Sequence, residues 1–169
     1  LTALVISASS VPADYTLVPA QVDDLVAGNR QTLEQASSVE FTPAQCAPTA
    51  DADFTPQLTD TNTVLLVAQS EGSTLSEVVT TVRRDVDADR RATTGICRVV
   101  TAVPSTGSLA GARIVTTTTE LPAPEGEAVE QALVVRSDSV TTLAGGGVRV
   151  RSALLSNVLV RRPGGEIVT

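Results

Sequence analysis

The chain has 169 residues and a net charge of −7, and 42 % of its residues are hydrophobic, which suits one ordinary domain with its own core. It contains no histidine, so the commonest general base and the commonest transition-metal ligand are missing. The acidic balance argues against nucleic-acid binding, which depends on basic charge. We therefore expect a single domain over residues 1–169 that is not an enzyme and holds no metal or cofactor.

Patterns in the N-terminal third predict one strand and two helical segments. Residues 1–8 are typical of a strand, and residues 19–37 show helical spacing that Gly28 and Asn29 should interrupt. Residues 42–46 have the form of a helix start, with threonine as the N-cap and proline at the first helical position. Residues 50–62 are polar and predict a loop or a short helical piece.

The middle of the chain predicts a buried strand followed by the longest helix. Residues 63–69 form an apolar run of strand length, and residues 73–91 carry apolar side chains at helical spacing. The apolar face of this helix would consist of Leu75, Val78, Val79, Val82 and Val86. We expect this face to be buried against a sheet, with Arg84 and Asp87 on the solvated face.

Beyond residue 97 the apolar period is two, which is typical of strands. The predicted strands cover residues 98–103, 112–121, 128–138, 147–152 and 158–162. Because the connections are short, the strands should form an antiparallel meander. The expected fold class is α+β, with one long helix and a smaller helical layer on one face of a twisted antiparallel sheet.

The two cysteines, Cys46 and Cys97, lack metal-ligand spacing, so they predict either one disulfide or two buried thiols. A disulfide closing this loop would stabilise the fold by about 4 kcal/mol and would favour an oxidising compartment. No segment approaches the ~18 apolar residues of a membrane span. The residues from Leu1 to Ser10 are typical of a chain that begins just after a signal or anchor.

Three kinds of motif could indicate a chemical site. The acidic run 85–89 begins like a calcium loop, but Arg90 and Ile96 occupy the positions of the turn glycine and the bidentate glutamate, so a solvated helical face is favoured. The glycines at 145–147 precede a strand pattern and not a helix, which favours a hairpin turn over a phosphate site. A nucleophilic-serine motif is absent, and without lysine the Ser-x-x-Lys type is impossible.

The candidate ligand-binding residues are Arg149 and Arg151, which lie two apart and so share one face of a strand. Together with the nearby residues 161–162 they could bind an anionic head group or the carboxylates of a partner. The alternative is a solvated sheet face on which they pair with acidic residues of neighbouring strands. A pocket beside them would be lined by aliphatic and hydroxyl side chains and would suit a small amphiphile.

Several short segments, taken in order, resemble a known family. They are the run 42–48 around Cys46, the amphipathic stretch 75–83, the run 95–98 around Cys97, residues 126–136 and the valine-rich run 156–161. The sequence resembles the extracytoplasmic sensor-like domains of actinobacteria, found in small secreted lipoproteins and in PknH-type serine/threonine kinases. The resemblance implies a Cys46–Cys97 disulfide, a ligand groove and a tether to the outer face of the membrane. The second disulfide of the kinase domains is missing, which favours a lipoprotein or standalone protein.

Two functions follow as hypotheses. The first is a non-enzymatic extracytoplasmic ligand-binding or sensor-like domain, a lipoprotein whose ligand is an unknown small amphiphile. The alternative is a cell-envelope module that docks a protein partner through a sheet face or edge. A concave pocket with convergent polar groups would favour the first hypothesis, and a flat exposed apolar surface would favour the second.

Overall fold

The computed structural model describes residues 1–48 and 51–169, which form two α-helices, nine strands and five short 3₁₀ turns. The helices are α1 Val22–Ala36 and α2 Val86–Thr93. The strands are β1 Thr16–Val18, β2 Val39–Thr42, β3 Thr63–Ser70, β4 Ser73–Thr80, β5 Val99–Pro104, β6 Arg113–Leu121, β7 Val129–Thr142, β8 Val148–Arg161 and β9 Ile167–Val168. The 3₁₀ turns are Thr2–Leu4, Ala8–Ser10, Ala44–Cys46, Thr55–Gln57 and Gly95–Arg98.

The strands form two antiparallel sheets, one in the order β1-β3-β4 and one in the order β2-β5-β6-β7-β8-β9. The sheets meet where Thr80, at the end of β4, and the C-terminal Thr169 exchange backbone hydrogen bonds of 3.0 and 2.9 Å. The expected α+β class with an antiparallel sheet is therefore confirmed. The longer helix is α1, which precedes all but one of the strands.

Helix α2 covers one face of the larger sheet, where it packs on β7 and β8. Its first residue, Val86, is fully buried and forms a core cluster with Leu133, Val135 and Leu159. The carboxylate of Asp85 caps the helix by accepting a 2.8 Å hydrogen bond from the backbone N–H of Ala88. The strand register places the buried residues of β6, β7 and β8 on this one face, namely Thr118, Leu133, Val135, Asn157 and Leu159.

The predicted helix over residues 73–91 is wrong in its first half. Residues 73–80 form strand β4 in a hairpin with β3, and the helix begins only at Val86. The turn at Glu71 and Gly72 makes the hairpin possible because Gly72 adopts a φ of 82°, which favours glycine. Val79 and Val86 are buried as expected, but Leu75, Val78 and Val82 are only half-buried. Asp87 is exposed as expected, whereas the Arg84 side chain is only 12 % exposed and not solvated.

Other boundaries also differ from expectation. The predicted strand at residues 1–8 is replaced by 3₁₀ turns, and α1 runs through Gly28 without a break. The helix start at residues 42–46 is a single 3₁₀ turn, and the two strands predicted within 147–162 are one continuous strand, β8. The short strands β1, β2 and β9 were not predicted. In the stretch 50–62, a short 3₁₀ turn agrees with expectation, although residue 50 lies outside the described residues.

The disulfide between Cys46 and Cys97 is present, with an S–S distance of 2.00 Å and a Cα–Cα distance of 5.4 Å. It ties the turn that follows β2 to the turn that follows α2. A disulfide is compatible with an extracytoplasmic location because oxidising compartments preserve such bonds. Neither helix in the described residues combines the length and hydrophobicity that crossing a membrane would require.

Candidate functional site

The most distinctive surface of the molecule is the outer segment of β8, defined as residues 148–156. Strand β8 pairs with β7 along its whole length, but β9 pairs only with Val160 and Arg161 on the other side. Between residues 148 and 159, no strand of the described chain occupies that second side. Half of the backbone N–H and C=O groups of an unpaired edge point away from the sheet, so this edge can accept another strand.

Large apolar side chains are exposed along this edge. Leu154 and Val150 are 72 % and 71 % exposed, the highest values for large hydrophobic residues in the described chain, and Val148 is 63 % exposed. On the neighbouring strand Val140 faces Val150 and is also exposed. These four residues share the sheet face that points away from α2, because their positions alternate with those of the buried Asn157 and Leu159.

Nothing in the described chain buries this second face of the sheet between β6 and β8, where every side chain is half-buried or exposed. The whole chain exposes 10467 Å². A compact monomer of 17.4 kDa would expose about 7,900 Å², so the excess is about 2,600 Å². The excess belongs to the whole chain, and the exposed residues of the outer segment of β8 contribute to it.

The other long edge strand, β4, is partly covered and carries mainly polar side chains. Its side chains are largely polar, and the N-terminal segment contacts it. The backbone N–H of Ile6 donates to Glu77 Oε2 at 2.8 Å, and the hydroxyls of Tyr15 and Ser73 lie 2.7 Å apart. Partial cover and polar side chains are how proteins protect an edge. The outer segment of β8 has no such cover in the described chain, and its face away from α2 carries Val148, Val150 and Leu154.

The two predicted site residues, Arg149 and Arg151, lie on the outer segment of β8 and share the face that points toward α2. Both are exposed, and in the described chain no carboxylate comes within 4.0 Å of either guanidinium. Arg161 and Arg162 differ, because they pair with Glu130 and Glu166 at 2.8 and 2.7 Å. The structure therefore brings Arg149 and Arg151 together and leaves both available, while the other two arginines are engaged.

The neighbouring strand β7 places one carboxylate, Asp138, beside the outer segment of β8, but on the sheet face opposite to Arg149 and Arg151. Asp138 faces Ser152 across the two strands, and it accepts hydrogen bonds from the Ser152 hydroxyl and from Arg136. The Ser152 hydrogen bond and, after it, the Arg136 guanidinium hold the pKa of Asp138 below its ordinary value. These contacts place polar groups beside the exposed apolar row formed by Val148, Val150 and Leu154.

A second candidate is the buried ionic cluster beneath α2, which sequence reasoning missed. Arg84 donates from Nε and Nη2 to the two oxygens of Asp89 at 2.5 and 2.8 Å, and Asn157 Nδ2 donates to Asp89 Oδ2 at 2.8 Å. Arg84 Nη1 also lies 2.7 Å from Asp51 Oδ1, and its guanidinium carbon lies 4.7 Å from the centre of the Phe54 ring. Both oxygens of Asp89 are occupied, so the cluster binds its own elements together.

Electrostatics agree with a structural role for this cluster. Burial alone would lower the pKa of the Arg84 guanidinium, but the hydrogen bonds to Asp89 and the charge of Asp51 outweigh it and raise that pKa. The arginine therefore stays charged and cannot exchange a proton near neutral pH. A salt bridge that joins α2, β8 and the loop before β3 positions the helix on the sheet.

The three acids of the run 85–89 have different partners and do not converge. Asp85 caps α2, Asp87 contacts Arg90 and Gln131, and Asp89 belongs to the buried cluster. Within residues 1–48 and 51–169, no group of three or more potential ligand side chains could hold a metal ion.

Two open depressions lie elsewhere on the surface. One, of about 340 Å³, is lined by Arg83, Arg84, Asp85 and Gln131. The other, of about 350 Å³, lies between residues 37–40 and 103–105. Neither is lined by Arg149 or Arg151. Their open form lacks the enclosure and the convergent polar groups that a small-molecule site usually has.

Comparison with known proteins gives no relative: no protein-family model, no curated protein and no solved structure matches the chain. The site must therefore be interpreted from its own geometry. That geometry consists of an open strand edge, an exposed apolar row and two unpaired arginines, all on the outer segment of β8.

Proposed function

We propose that this chain is a non-enzymatic interaction module that binds a protein partner along the outer segment of β8. The single observation that carries the proposal is the open edge between residues 148 and 159, lined by the exposed side chains of Val148, Val150 and Leu154. In strand addition, backbone hydrogen bonds supply affinity and alternate side chains supply specificity. Both kinds of contact are available on this segment.

The module is preferred to a small-molecule sensor because the exposed apolar surface is a strand edge and not a cavity. An amphiphile would need an enclosed apolar volume, and both depressions described above are open. A catalytic role finds no support in the buried cluster, since Arg84 and Asp89 satisfy one another.

We further propose an extracytoplasmic location, with a lipid tether to the outer face of the membrane as the resemblance to sensor-like domains implies. The Cys46–Cys97 disulfide supports the location and is neutral on the tether. Detergent partitioning of the protein from its source organism, before and after lipase treatment, tests the tether. A protein found in the aqueous phase throughout would contradict it.

A photocrosslinking experiment tests the interaction. A photoreactive amino acid at position 154 should crosslink to a discrete protein in the source organism, and the same group at Ala92, exposed on α2, should not. The purified partner should then slow amide hydrogen exchange in residues 148–156 and leave α2 unchanged. Equal crosslinking from both positions, or a bound small molecule with no protection of β8, would contradict the proposal.

A further inference from the structure

We infer that the strand added to the outer segment of β8 is the same segment of a second copy of this chain, in an antiparallel two-fold arrangement. This inference rests on the proposed function and names its partner. Two copies would join their larger sheets edge to edge into one continuous sheet. The inference depends on the open edge, on the pattern of charges along it and on the surface area available.

The first argument is geometric. The open edge has twelve residues, which at ~3.4 Å per residue gives an edge of about 40 Å. A two-fold axis perpendicular to the sheet keeps the α2-bearing faces of both copies on the same side. Facing residues must then have the same parity, so the residue numbers of each facing pair add up to an even number.

The arginines exclude the registers centred near them. If residue 150 or 151 lay on the two-fold axis, Arg149 would face Arg151 of the second copy or Arg151 would face itself. Like charges directly opposite each other destabilise a strand pair. The register must therefore be centred farther along the strand, toward its buried half.

The apolar side chains select one of the remaining registers. With Ser152 on the axis, Val150 faces Leu154 of the second copy, and symmetry forms this contact twice. Arg149 and Arg151 then face Leu155 and Ala153, and the two Arg151 residues become diagonal neighbours about 7–8 Å apart, farther than the directly opposite positions of the excluded registers. A register centred on 153 would place both Val150 and Leu154 opposite serines.

The same register also avoids β9. With Ser152 on the axis, the paired segment covers residues 148–156 in both copies, and β9 begins to occupy the edge only at Val160. A register centred on 154 would bring Val148 opposite Val160, where the edge is already taken. The outer segment of β8 is thus the part that two copies can share without displacing any strand.

The available area fits a weak, specific dimer. A standard interface buries about 800 Å² per partner, and the outer segment of β8 offers nine exposed residues, part of the whole-chain excess of about 2,600 Å² over a compact monomer. A nine-residue strand pair with two Val–Leu contacts lies at the low end of such interfaces. We expect dissociation on the order of micromolar.

The test uses the full chain with its disulfide intact. In sedimentation equilibrium, the mass of the wild-type protein should double between low-micromolar and several hundred micromolar concentrations. Ser152→Pro, which removes an outward-pointing N–H at the centre of the open edge, and Leu154→Lys should each shift the dimerisation midpoint at least tenfold upward. The matched control is Thr74→Lys, at an exposed position on strand β4, and it should not shift the dimerisation midpoint. Ala92→Pro does not serve as a control because residue 92 lies in helix α2.

A crosslink reports the register directly. Ser152→Cys places two thiols opposite each other across the axis, so mild oxidation should join two chains at least tenfold faster than it does for Arg91→Cys. Circular dichroism and an unchanged unfolding midpoint at low concentration establish that each variant folds.

The outcomes separate the two proposals. A monomeric mass at all concentrations, together with equal crosslinking of the two cysteine variants, overturns the self-pairing inference. If the probe at position 154 still captures a different protein that protects residues 148–156, the proposed function stands and only the identity of the partner is wrong. If no protein binds at that segment, both proposals fail.

Discussion

The two halves of β8 lie on one continuous strand but in opposite environments. In the inner half, Asn157 and Leu159 are buried under α2, and Asn157 donates a hydrogen bond to the buried Asp89. In the outer half, Leu154 and Val150 are exposed, and the edge is unpaired. The composition of the two halves is similarly aliphatic, so hydrophobicity alone does not decide which half is covered.

The difference shows that α2 sets the limit of the monomer's core. The helix has only eight residues, about 12 Å of length, and cannot shield strands of fourteen residues. Beyond its reach, the large apolar side chains of the outer segment of β8 are exposed in the described part of the chain. The outer part of the β7–β8 hairpin is therefore the surface on which the proposed interaction rests.

The largest expected effect concerns the disulfide, which belongs to the covered region. Replacing both cysteines, Cys46→Ala with Cys97→Ala, should lower the free energy of unfolding by about 4 kcal/mol, because the unfolded chain regains the entropy of a loop with a sequence separation of 51. Urea unfolding of the variant and the wild type measures the change. Amide exchange in residues 148–156 should stay the same, and a loss below ~1 kcal/mol would contradict the prediction.

The direct comparison of the two halves uses one substitution in each. Leu159→Ala should cost about 3 kcal/mol because it opens a cavity in the core, and Leu154→Ala should cost less than ~0.5 kcal/mol because its side chain is already in water. Urea unfolding at protein concentrations below the dimerisation midpoint measures both losses of unfolding free energy. Equal costs would show that the outer half is covered within the monomer.

A substitution in the buried cluster of Arg84 and Asp89 should lower the free energy of unfolding less than a substitution in the hydrophobic core. Arg84→Met leaves Asp89 buried with only Asn157 as a donor, and we expect a loss of about 2 kcal/mol. This value lies below the ~3–5 kcal/mol that is typical of a broken buried pair, because the Asn157 hydrogen bond remains. Arg91→Met, at a largely exposed position on the same helix, is the control and should change stability by less than ~0.5 kcal/mol. Similar losses for both variants would argue against the structural role of the cluster.

The sequence predicted the class of the fold, most strands after residue 97 and the disulfide pair. It failed at residues 73–80 because apolar spacing there fits a helix face as well as a strand, and the turn glycine at position 72 decides for the hairpin. That error placed Arg84 on a solvated helix face. The buried cluster could then not be predicted, because its residues come from α2, β8 and the loop at Asp51, which are far apart in the sequence.

The candidate site was predicted only in part. The two-residue spacing of Arg149 and Arg151 correctly indicated a shared strand face. The open edge was not predicted, because a strand of two residues such as β9 leaves almost no pattern in a sequence. The continuity of β8 was missed as well, because residues 153–156 do not alternate between apolar and polar.

The smallest expected effect is a pH dependence in the outer half. The hydrogen bond from Ser152, followed by Arg136, lowers the pKa of Asp138 from its ordinary value of 3.8. A carboxylate whose folded-state pKa is depressed stabilises the fold above its unfolded-state pKa, and this contribution is lost as the pH falls through the lower, folded-state value. The side chain is exposed, so the change in stability between neutral pH and pH 3 should be far smaller than the losses above.

Carboxyl-detected NMR titration measures this effect at the residue itself. The midpoint of Asp138 should lie below 3.8, and Ser152→Ala should move it upward more than Arg136→Gln does, because the hydroxyl is the larger cause. Asp138→Asn provides the resonance assignment. A midpoint at or above 3.8 would mean that the Ser152 hydrogen bond to Asp138 does not persist in solution.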